Sequence, residues 1–361
     1  MNELEKLRQE IQQADKEMAS LFRRRMEIVS KVLEYKVANG LPVLDAEQEA
    51  RVIANNIDNV PEKVLQEYYV LFLKEVMNIS KSYQHHLTDG MKVAYSGVPG
   101  AFGQIAASRI FPEANLVPYP DFEGAYKACE KGEVDITVLP IENSFSGEVG
   151  KVSDLIFEGS LYINMMLELN VTQNLIGIKG ARTEEIKTVI SHPQALSQCS
   201  SFIHRHGLSE IEYENTAMAA KFVAEKGDRT MAAIGSVETA NLYGLEIIEA
   251  NISHSRTNTT RFATLSRVMN APSKSSTGEY FILMFTVKNE AGALAKVLNI
   301  IGAHGFNMNN LRSRPMKEPL WNHYFYAELE GNASSEDGKD LMRQLHTVCD
   351  KFKLVGAYKR I

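Results

Sequence analysis

A hydroxyl group beside a fixed cation marks the run Asn258-Thr259-Thr260-Arg261-Phe262. An enzyme needs these groups to help an oxygen atom leave an anionic substrate, because the hydroxyl donates a hydrogen and the guanidinium balances charge. The stretch Thr260-Arg261-Phe262 would equally suit a half-buried β-strand. The run alone is weak evidence, so its meaning depends on the elements that position it.

The composition argues against several classes of protein. The chain has 361 residues, enough for two to three domains, and 44% of them are hydrophobic, which suits globular cores. Its formal net charge of −6 argues against nucleic acid as a partner. No apolar run has the length of a membrane span, and the N-terminal residues lack the apolar core of a signal peptide. Cys129, Cys199 and Cys349 are widely spaced and odd in number, so we expect reduced thiols in a cytoplasmic protein.

The first segment is predicted to be an all-helical domain over residues 1–87. Residues 2–39 contain no proline, and their apolar residues recur at helical spacing. One helix of this span would be roughly 55 Å long, too long for a domain of this size to cover by itself. We therefore expect a partner chain to cover it, in an intertwined homodimer or a higher oligomer. Two further helices are predicted, from about Asp45 to Pro61 and over 62–85.

The second segment, residues 91–269, changes to alternating strand-like and helix-like runs. This alternation is typical of βαβ units with a mainly parallel sheet, and its length suits a two-lobed α/β domain with a cleft. The clearest strand-like runs are Val134–Leu139, Leu175–Ile178, Thr188–Ile190 and Met231–Ile234, and the clearest helices are Phe122–Lys131 and Ala217–Glu225.

The third segment, residues 279–361, follows a serine-rich linker at 271–278. Its pattern predicts the order strand, helix, strand, strand, helix, strand, which is the ferredoxin-like βαββαβ arrangement of a small α+β domain. The predicted elements are Tyr280–Val287, Gly292–His304, Phe306–Arg314, Leu320–Leu329, Ser334–Cys349 and Lys353–Tyr358.

Cations lie along the long N-terminal helix at positions that suit a shared anion site. Arg25 and Lys36 are 11 residues apart, or about 20° around a helix, so they share a face. Arg8 is 17 residues before Arg25 and about 100° away, which suits the site of a partner chain better than its own. Ordinary solvated charges on a surface helix would also give this spacing.

The residue order in this segment resembles the all-helical class of chorismate mutases: Leu7-Arg8-x-x-Ile11-x-x-x-Asp15, then Arg25, Lys36, Pro42-Val43-x-Asp45 and Glu49. The resemblance implies a dicarboxylate that rearranges in a pericyclic step, held by cations, without a nucleophile or cofactor. It implies that the substrate-binding residues are Arg8 (acting in the partner chain), Arg25, Lys36, Asp45, Gln48, Glu49, Ser80 and Gln84. Lys36, Glu49 and Gln84 would be the catalytic residues among them. Gln48 stands where many members have arginine.

Motifs of the second segment resemble prephenate dehydratases by their order and spacing. They are Gly97-Val98-Pro99-Gly100-Ala101-Phe102, Pro140-Ile141-Glu142-Asn143-Ser144, Ser191-His192-Pro193-Gln194-Ala195-Leu196, Leu242-Tyr243-Gly244-Leu245 and Thr260-Arg261-Phe262. Each motif alone has an ordinary explanation, such as a turn, a helix cap or a buried histidine. Together they imply that prephenate loses water and carbon dioxide to give phenylpyruvate, with no cofactor and no metal ion.

The resemblance also implies roles for residues of the cleft. Thr260 would be the principal catalytic residue, donating a hydrogen bond to the departing ring hydroxyl while Arg261 and nearby polar groups stabilise the charge. The expected substrate-binding residues are Glu142, Asn143, Ser144, Ser191, His192, Gln194, Gln198, Arg261 and Phe262. Gly103 stands where many members have serine or threonine.

Two turns of the third segment resemble the ACT domain attached to dehydratases. Glu290-Ala291-Gly292-Ala293-Leu294 joins the first strand to the first helix, and Leu311-Arg312-Ser313-Arg314-Pro315 ends the second strand. The resemblance implies an L-phenylalanine site at a dimer interface. Its expected residues are Gly292, Ala293, Leu294, Asn309, Leu311, Ser313, Arg314 and Pro315. Arg312 occupies a position where the family usually has glutamate.

The leading hypothesis is a bifunctional enzyme of phenylalanine biosynthesis that converts chorismate to prephenate and prephenate to phenylpyruvate, and is inhibited by L-phenylalanine. One alternative is a monofunctional dehydratase whose helical segment serves dimerisation or regulation. Another is a small-molecule binding or sensor protein, because periplasmic binding proteins share the two-lobed architecture. Arogenate, the aminated relative of prephenate, stays open as a substrate.

Overall fold

A computed structural model of the chain describes residues 2–39, 46–254, 257–269, 279–316 and 322–359. The chain divides into two compact units, Met1–Lys92 and Val93–Ile361. None of the described helices is both long enough and apolar enough to cross a membrane.

The first unit is helical in its described part. Its helices are α1 (Glu3–Ala38), α2 (Ala46–Asn56) and α3 (Lys63–Asp89), with a 3₁₀ turn at Ile57–Asn59. A capping box holds the start of α1, in which the side chains of Asn2 and Glu5 each accept a hydrogen bond from the other residue's backbone N–H. The predicted helices are confirmed, including the break at Pro61.

Most apolar residues of α1 are exposed within a single chain. Met26 and Leu33 are buried, whereas Leu7, Ile11 and Leu21 are each more than half exposed. An apolar stripe of this size on a long helix is typical of a surface that packs against another chain. It lies where the sequence predicted a covering partner.

The second unit contains two lobes followed by a C-terminal subdomain. The first-lobe elements are β1 (Lys92–Ser96), α4 (Phe102–Ile110), β2 (Asn115–Tyr119), α5 (Phe122–Lys131), β3 (Ile136–Asn143), β4 (Gly147–Glu148), α6 (Gly150–Glu158) and β5 (Tyr162–Asn170). The second-lobe elements are β6 (Asn174–Gly177), β7 (Thr188–Ser191), α7 (Pro193–Gln198), α8 (Ser200–His206), β8 (Ser209–Glu212), α9 (Thr216–Lys226), β9 (Met231–Gly235), α10 (Val237–Tyr243) and β10 (Glu246–Glu249). Strand β11 (Thr259–Ser266) then returns to the first lobe.

Each lobe is built on a mixed sheet. The strand order is β5-β11-β3-β1-β2 in the first lobe and β10-β6-β9-β7-β8 in the second. Strand β1 is parallel to β3, and β7 is parallel to β8 and β9. Strand β11 is antiparallel to β3 and β5, and β6 is antiparallel to β9 and β10. The prediction of a mainly parallel sheet is therefore wrong. The strands that follow the crossings between the lobes, β6 and β11, are antiparallel to their neighbours.

The pairing of β3 with β11 divides four residues between two faces. Asn143 lies opposite Thr260, and Glu142 lies opposite Arg261. Directly opposed residues of an antiparallel pair point to the same face, and successive residues point to opposite faces. Asn143 and Thr260 therefore share one face, while Glu142 and Arg261 share the other.

A β-bulge interrupts this pairing one step further along. Phe262 lies opposite Pro140, so Ile141 is an extra residue in β3. The extra residue shifts the alternation, so that Pro140 and Asn143 both line the same cavity. The bulge also accommodates a proline in a central strand, where it has no N–H to donate.

The C-terminal subdomain has the predicted ferredoxin-like order. Its elements are β12 (Glu279–Thr286), α11 (Ala293–Ala303), β13 (Asn307–Pro315), β14 (His323–Glu330), α12 (Glu336–Val348) and β15 (Lys351–Lys359). The strand order is β13-β14-β12-β15, with antiparallel pairing between neighbours.

This subdomain continues the sheet and the core of the first lobe. Gly356 of β15 pairs in parallel with Ile163 of β5, and a Cβ at Gly356 would overlap the Ile163 carbonyl oxygen, so the approach needs glycine. Lys353 Nζ donates hydrogen bonds to carbonyl groups at the end of α6. The subdomain side chains in the first-lobe core are Ile282, Met284, Tyr324, Tyr326, Val355 and Tyr358. The subdomain is therefore an integral part of the second unit.

Candidate functional site

A cleft between the lobes brings motifs of the central segment together. Its volume of about 440 Å³ suits a small metabolite. Its walls are formed by the starts of α4, α7 and α9, the facing ends of β3 and β11, and the connections between the lobes. Its polar lining includes Ser96, Asn143, Gln173, Gln194, Gln198, Asn258 and Thr260.

Thr260 is hydrogen-bonded on the cleft wall in a defined direction. Asn143 Nδ2 donates to Thr260 Oγ1 at 2.9 Å. Asn143 Oδ1 accepts from the backbone N–H groups of Phe145 and Ser146, each at 3.0 Å, and such groups can only donate, so the amide has one orientation. Because the Thr260 oxygen accepts this bond, the hydroxyl hydrogen is left for a partner in the cleft.

The same amide begins a chain of hydrogen bonds that crosses between the lobes. Asn143 Nδ2 also donates to Asn258 Oδ1 at 2.8 Å, and Asn258 Nδ2 donates to Gln198 Oε1 at 3.1 Å. Gln173 Nε2 donates to the same Gln198 oxygen at 3.3 Å. The orientation of the Asn143 amide therefore fixes the orientations of the next amides in the chain. The polar side chains of this wall are thus aligned before any ligand binds.

Gln173 is a cleft residue that the sequence did not indicate. It follows β5 in the crossing to the second lobe, where its carbonyl accepts a hydrogen bond from the N–H of Ile252 in the return crossing. The residue is 3% exposed, and its Oε1 has no hydrogen-bond partner among the described residues. A buried acceptor without a partner suits a ligand hydroxyl or amine. No motif contains this residue, so its role depends on the tertiary fold.

The serine-histidine-proline motif divides between the cleft and the core. His192, Gln194 and Gln198 line the cleft. His192 caps α7, and its Nδ1 accepts from the N–H of Gln194 at 3.2 Å, so a neutral ring carries its hydrogen on Nε2. Ser191 is fully buried and donates to the carbonyl of Ile234 at 2.8 Å. Ser191 is outside the cleft lining, and its hydroxyl is occupied by this bond to β9.

Ser144 also lies outside the cleft lining. It is exposed, donates to the carbonyl of Thr257 at 3.1 Å, and accepts from the N–H of Thr259 at 3.0 Å. It therefore fixes the entry to β11 rather than contacting the cavity. Ser146, two residues later, lines the cleft instead.

Arg261 and Glu142 point away from the cleft, contrary to the expectation that they bind substrate. Arg261 donates two hydrogen bonds to Glu328 at 2.9 and 3.1 Å and one to the Tyr358 hydroxyl at 3.0 Å, and it lies 3.5 Å from Glu142. Strand alternation is the cause, because Thr260 already occupies the cleft face. Burial lowers the pKa of Arg261, but the hydrogen bond and charge of Glu328 outweigh burial and raise that pKa above its ordinary value.

The glycine-rich turn before α4 explains one departure from the family pattern. A Cβ at Gly103 would lie 2.9 Å from the carbonyl oxygen of Ser96, so this packing favours glycine. Ser96 itself lines the cleft beside Gly103. The hydroxyl of Tyr243, from the Leu242–Leu245 motif, donates to the carbonyl of Pro99 at 2.9 Å and ties the turn to the second lobe.

In the helical unit, α1 and α3 bring part of the predicted mutase set together. Arg25 donates to the Ser80 hydroxyl and to the carbonyl of Val76 at 3.4 Å. Gln84 Nε2 donates to the carbonyl of Val29 at 3.5 Å. Ser80 and Gln84 are buried, and burial lowers the pKa of Arg25.

The other predicted mutase residues are more dispersed. Lys36 is half-buried further along α1, and Gln48 is exposed on α2. Arg8 is exposed near the start of α1, about 25 Å along the helix from the arginine that contacts α3. Asp45 and the side chain of Glu49 lie outside the described residues.

Part of the predicted effector set surrounds a recess of about 210 Å³ in the C-terminal subdomain. Leu294 and Ser313 line it, together with Asn322, His323 and Phe325. Gly292 lies at the start of α11 with a φ of 83°, a conformation that favours glycine, and Ala293 is the first helical residue.

The two faces of β13 separate the remaining effector residues. Asn309, Leu311, Ser313 and Pro315 are exposed, and the residues between them are partly buried. Arg314 belongs to the partly buried set and forms a bidentate pair with Asp154 of α6 at 2.6 and 2.8 Å. The structure therefore places Arg314 at the junction with the first lobe, away from the face that carries the other residues.

Neither a metal cluster nor a reactive thiol is found in the described part of the chain. No group of three or more histidine, cysteine, aspartate or glutamate side chains there could hold a metal ion. Burial raises the pKa of Cys129 and Cys199 to about 12 and that of Cys349 to about 11, so all three thiols are protonated at neutral pH.

Comparison with known proteins accounts for the three segments in order. Family models described as chorismate mutase type II, prephenate dehydratase and ACT domain match residues 7–85, 93–270 and 281–347, respectively. The matches define a multidomain enzyme with a mutase, a dehydratase and an ACT domain.

Individual relatives extend this result to the whole chain. A bifunctional chorismate mutase/prephenate dehydratase from Enterobacter agglomerans is 31% identical over 99% of this chain and 96% of its own length. An arogenate dehydratase/prephenate dehydratase from Arabidopsis thaliana is 32% identical over 74% of this chain and 72% of its own. A solved prephenate dehydratase from Arthrobacter aurescens, in complex with L-Phe, has a TM-score of 0.69 at 24% identity, covering 75% of this chain and 90% of its own, and supports the fold. The chain belongs to the family of bifunctional chorismate mutase/prephenate dehydratases.

Replacing Asn143 with aspartate tests the orientation of Thr260. The new carboxylate can only accept, so it would draw the Thr260 hydrogen away from the cleft, and we expect dehydratase turnover to fall about 10²-fold. Mutase turnover of the same preparation is the internal reference. Asn164→Asp is the matched control, because Asn164 of the neighbouring β5 donates to Ser266 and Val268 at the far end of β11. Turnover above half of the unsubstituted value in Asn143→Asp would contradict the assigned orientation.

Proposed function

We propose that this chain rearranges chorismate to prephenate in its helical unit and converts prephenate to phenylpyruvate, water and carbon dioxide in the cleft. The observation that carries the second activity is the hydrogen bond from Asn143 to Thr260 on the cleft wall. Family membership over the full length supports joining both reactions in one chain. The proposed setting is phenylalanine biosynthesis in the cytoplasm, with which the free cysteines agree.

Thr260 assists the departure of the ring hydroxyl. As carbon dioxide leaves, the electrons of the breaking C–C bond enter the ring, and the C–O bond breaks to complete the aromatic system. The Thr260 hydroxyl donates its hydrogen toward the departing oxygen, which leaves as water once protonated. The N–H of Asn143 stabilises the negative charge that develops on the threonine oxygen, and a proton from solvent then restores the hydroxyl, so the reaction consumes one proton overall.

Other parts of the cleft orient the substrate. The first turn of α4 begins at Phe102 without a side-chain cap from Ala101, and both residues line the cleft. Free N–H groups at a helix start attract carboxylates. Gln194 adds a polar group, and the Phe262 ring supplies an apolar wall for the substrate ring.

In the helical unit, Arg25, Lys36 and Gln84 are proposed to hold chorismate, with Ser80 fixing Arg25. Asp45, Gln48 and Glu49 complete the proposed set from the segment that includes α2. The proposed domain limits are residues 1–87, 91–269 and 279–361. Support for this site is the bond between Arg25 and Ser80 and the match of residues 7–85 to chorismate mutase type II.

A second copy of the chain is proposed to complete the mutase site. The exposed apolar stripe of α1 needs cover, and a second copy of the same helix has the matching surface. Arg8 lies too far along α1 to reach the pocket around Arg25 of its own chain. In a homodimer it would serve the other subunit.

L-Phenylalanine is the proposed effector of the C-terminal subdomain. The solved relative from Arthrobacter aurescens carries this ligand. In this chain, Leu294 offers an apolar contact and the start of α11 at Gly292 offers N–H groups to a carboxylate. Ala293, Asn309, Leu311, Ser313 and Pro315 belong to the same proposed set, whereas Arg314 is placed at the junction with the first lobe.

Arogenate is a second candidate substrate, favoured by one observation. The buried acceptor Gln173 Oε1 has no partner in the described structure and suits an ammonium group as well as a ring hydroxyl. The Arabidopsis relative is named for both arogenate and prephenate. Comparing the two substrates by kcat/KM decides between them.

Purified protein supplied with chorismate alone should form phenylpyruvate. Thr260→Ala should lower dehydration by about 10²-fold or more while mutase turnover stays within about 2-fold, because the hydroxyl serves one site only. Arg25→Ala should have the opposite effect, because it removes a cation from the mutase site. Both rates are measured separately, one from chorismate loss and one from added prephenate.

The same assay distinguishes the alternatives. Consumption of prephenate without consumption of chorismate would favour a monofunctional dehydratase with a helical segment used for dimerisation or regulation. Failure to convert either substrate, with retained binding of L-phenylalanine, would favour a sensor protein. Normal dehydration by Thr260→Ala would remove the assigned role of Thr260.

Mixing two inactive variants tests the shared mutase site. Arg8→Ala and Arg25→Ala chains should each have little mutase activity. In a mixed dimer, one of the two sites would combine an intact Arg25 with an intact Arg8 from the other subunit. After exchange of subunits, about a quarter of the activity per site should return. No recovery, with mixed dimers shown by mass, would mean that Arg8 does not serve the partner.

Changing the exposed face of β13 tests the effector site. L-Phenylalanine should inhibit dehydration, and Ser313→Lys should raise the concentration needed for half-inhibition at least about 5-fold, as loss of a typical allosteric coupling would. Binding is measured in parallel by calorimetry. Unchanged inhibition in Ser313→Lys would place the effector elsewhere.

A further inference from the structure

Two cross-strand pairs of β3 and β11 connect the cleft to the C-terminal subdomain. On the cleft face, Asn143 donates to Thr260, and on the opposite face Glu142 lies 3.5 Å from Arg261. Each cleft residue is the covalent neighbour of a charged residue. A displacement of either charge therefore moves the backbone that carries the catalytic hydrogen bond.

The C-terminal subdomain supplies the partners of both charges. Glu328 of β14 is fully buried and binds both Nη atoms of Arg261. Arg312 of β13 forms an ion pair with Glu142. The half-exposed Glu168 of β5 also lies 3.8 Å from Arg261, so two cations are paired with three carboxylates at the junction. Because an unpaired buried charge is strongly unfavourable, each member of this cluster restrains its partners.

Tyrosine side chains enclose the cluster. The Tyr358 hydroxyl accepts a hydrogen bond from Arg261 at 3.0 Å, and the Tyr326 hydroxyl lies 3.4 Å from a Glu328 oxygen. The Tyr326 ring is 5.4 Å from the guanidinium carbon of Arg312. Charge-assisted bonds in such a shielded place are strong and directional.

We propose that Glu328 and Arg312 are positioning residues for dehydration, acting through Arg261 and Glu142 to hold the catalytic hydrogen bond in place. The inference rests on the proposed function of the cleft. The catalytic hydroxyl must be placed accurately, because a misplacement of about 1 Å can lower turnover about 10²-fold. The C-terminal subdomain therefore contributes to the reaction even without an effector.

The alternation of β13 connects this cluster to the proposed effector face. Arg312 is partly buried toward the first lobe, while Leu311 and Ser313 on either side are exposed on the other face. A ligand on the exposed face therefore contacts the immediate neighbours of a positioning residue. The path from the effector face to the cleft therefore passes through β13, the ion pair of Arg312 with Glu142, and then β3.

Substitutions in the full-length chain test the positioning role. Glu328→Gln and Arg312→Gln should each lower the kcat of dehydration about 10-fold, with KM within about 2-fold, because a misplaced catalytic hydroxyl weakens interactions made mainly in the transition state. Glu328→Asp keeps the charge and should recover part of the lost kcat. Mutase turnover in each preparation reports the amount of intact enzyme.

Asp154→Asn is the matched control at the same junction. It disrupts the bidentate pair with Arg314, which is not adjacent to the catalytic strand pair, and kcat should stay within about 2-fold. An equal loss of kcat in Asp154→Asn and Glu328→Gln would mean that docking alone matters, and it would overturn the proposal. If Glu328→Gln does not fold, the less buried Arg312→Gln decides, and an unchanged kcat in that variant overturns the proposal.

A double-mutant cycle separates positioning from substrate binding. Arg261→Gln and Glu328→Gln should have less than additive effects on kcat when combined, because both break one interaction. Additive effects, or a rise of KM in Arg261→Gln alone, would overturn the proposal. An unsubstituted enzyme without dehydratase activity would refute the proposed function itself, whereas active enzyme with unchanged kcat in both Glu328→Gln and Arg312→Gln would refute only this inference.

Discussion

The antiparallel register of β3 and β11 is the constraint on which the cleft and its junction with the C-terminal subdomain both depend. Opposed residues share a face, so Asn143 with Thr260 faces the cleft and Glu142 with Arg261 faces the core. A slip of β11 by one residue against β3 would turn Thr260 away from the cleft and bring the charged Arg261 onto the cleft face. The bulge at Ile141 then resets the alternation, which brings the preceding part of β3 into the same cleft wall.

Because the charged pair lies on the opposite face, the cleft wall around Thr260 is formed by amide side chains with fixed orientations. The orientation of Asn143 follows from backbone donors, and it determines that Thr260 accepts one bond and keeps its hydrogen for a ligand. The direction passes through Asn258 and Gln198, since each amide that accepts with oxygen donates with nitrogen. A neutral hydroxyl thus becomes a positioned donor through preorganised dipoles, which need little rearrangement when charge develops.

Local signals predicted the elements well, and tertiary arrangement explains what they missed. Helix Phe122–Lys131 was predicted with its observed bounds. Asp121 caps its start and Gly132 ends it. By contrast, Thr260 and Arg261 were assigned one task because they are adjacent in sequence, although strand alternation separates them. The bulge has no clear local signal beyond a proline in a strand. Gln173 belongs to no motif, because its place in the cleft depends on two crossings that are distant in the chain.

Arg312 stands where the family usually has glutamate, and the structure supplies a partner for its charge. It pairs with Glu142 in a cluster that contains two cations and the carboxylates of Glu142, Glu168 and Glu328. Glutamate at this position would put a fourth carboxylate beside a single guanidinium, and that excess charge would be costly where the cluster is shielded from water. In this chain, arginine on β13 is therefore compatible with the Glu142 and Arg261 pair, whereas the residues on either side remain available on the other face. By the proposal above, a ligand there would influence the cleft only by binding one position of β13 more strongly than another, and the ion pair of Arg312 with Glu142 would carry that preference to β3 and β11.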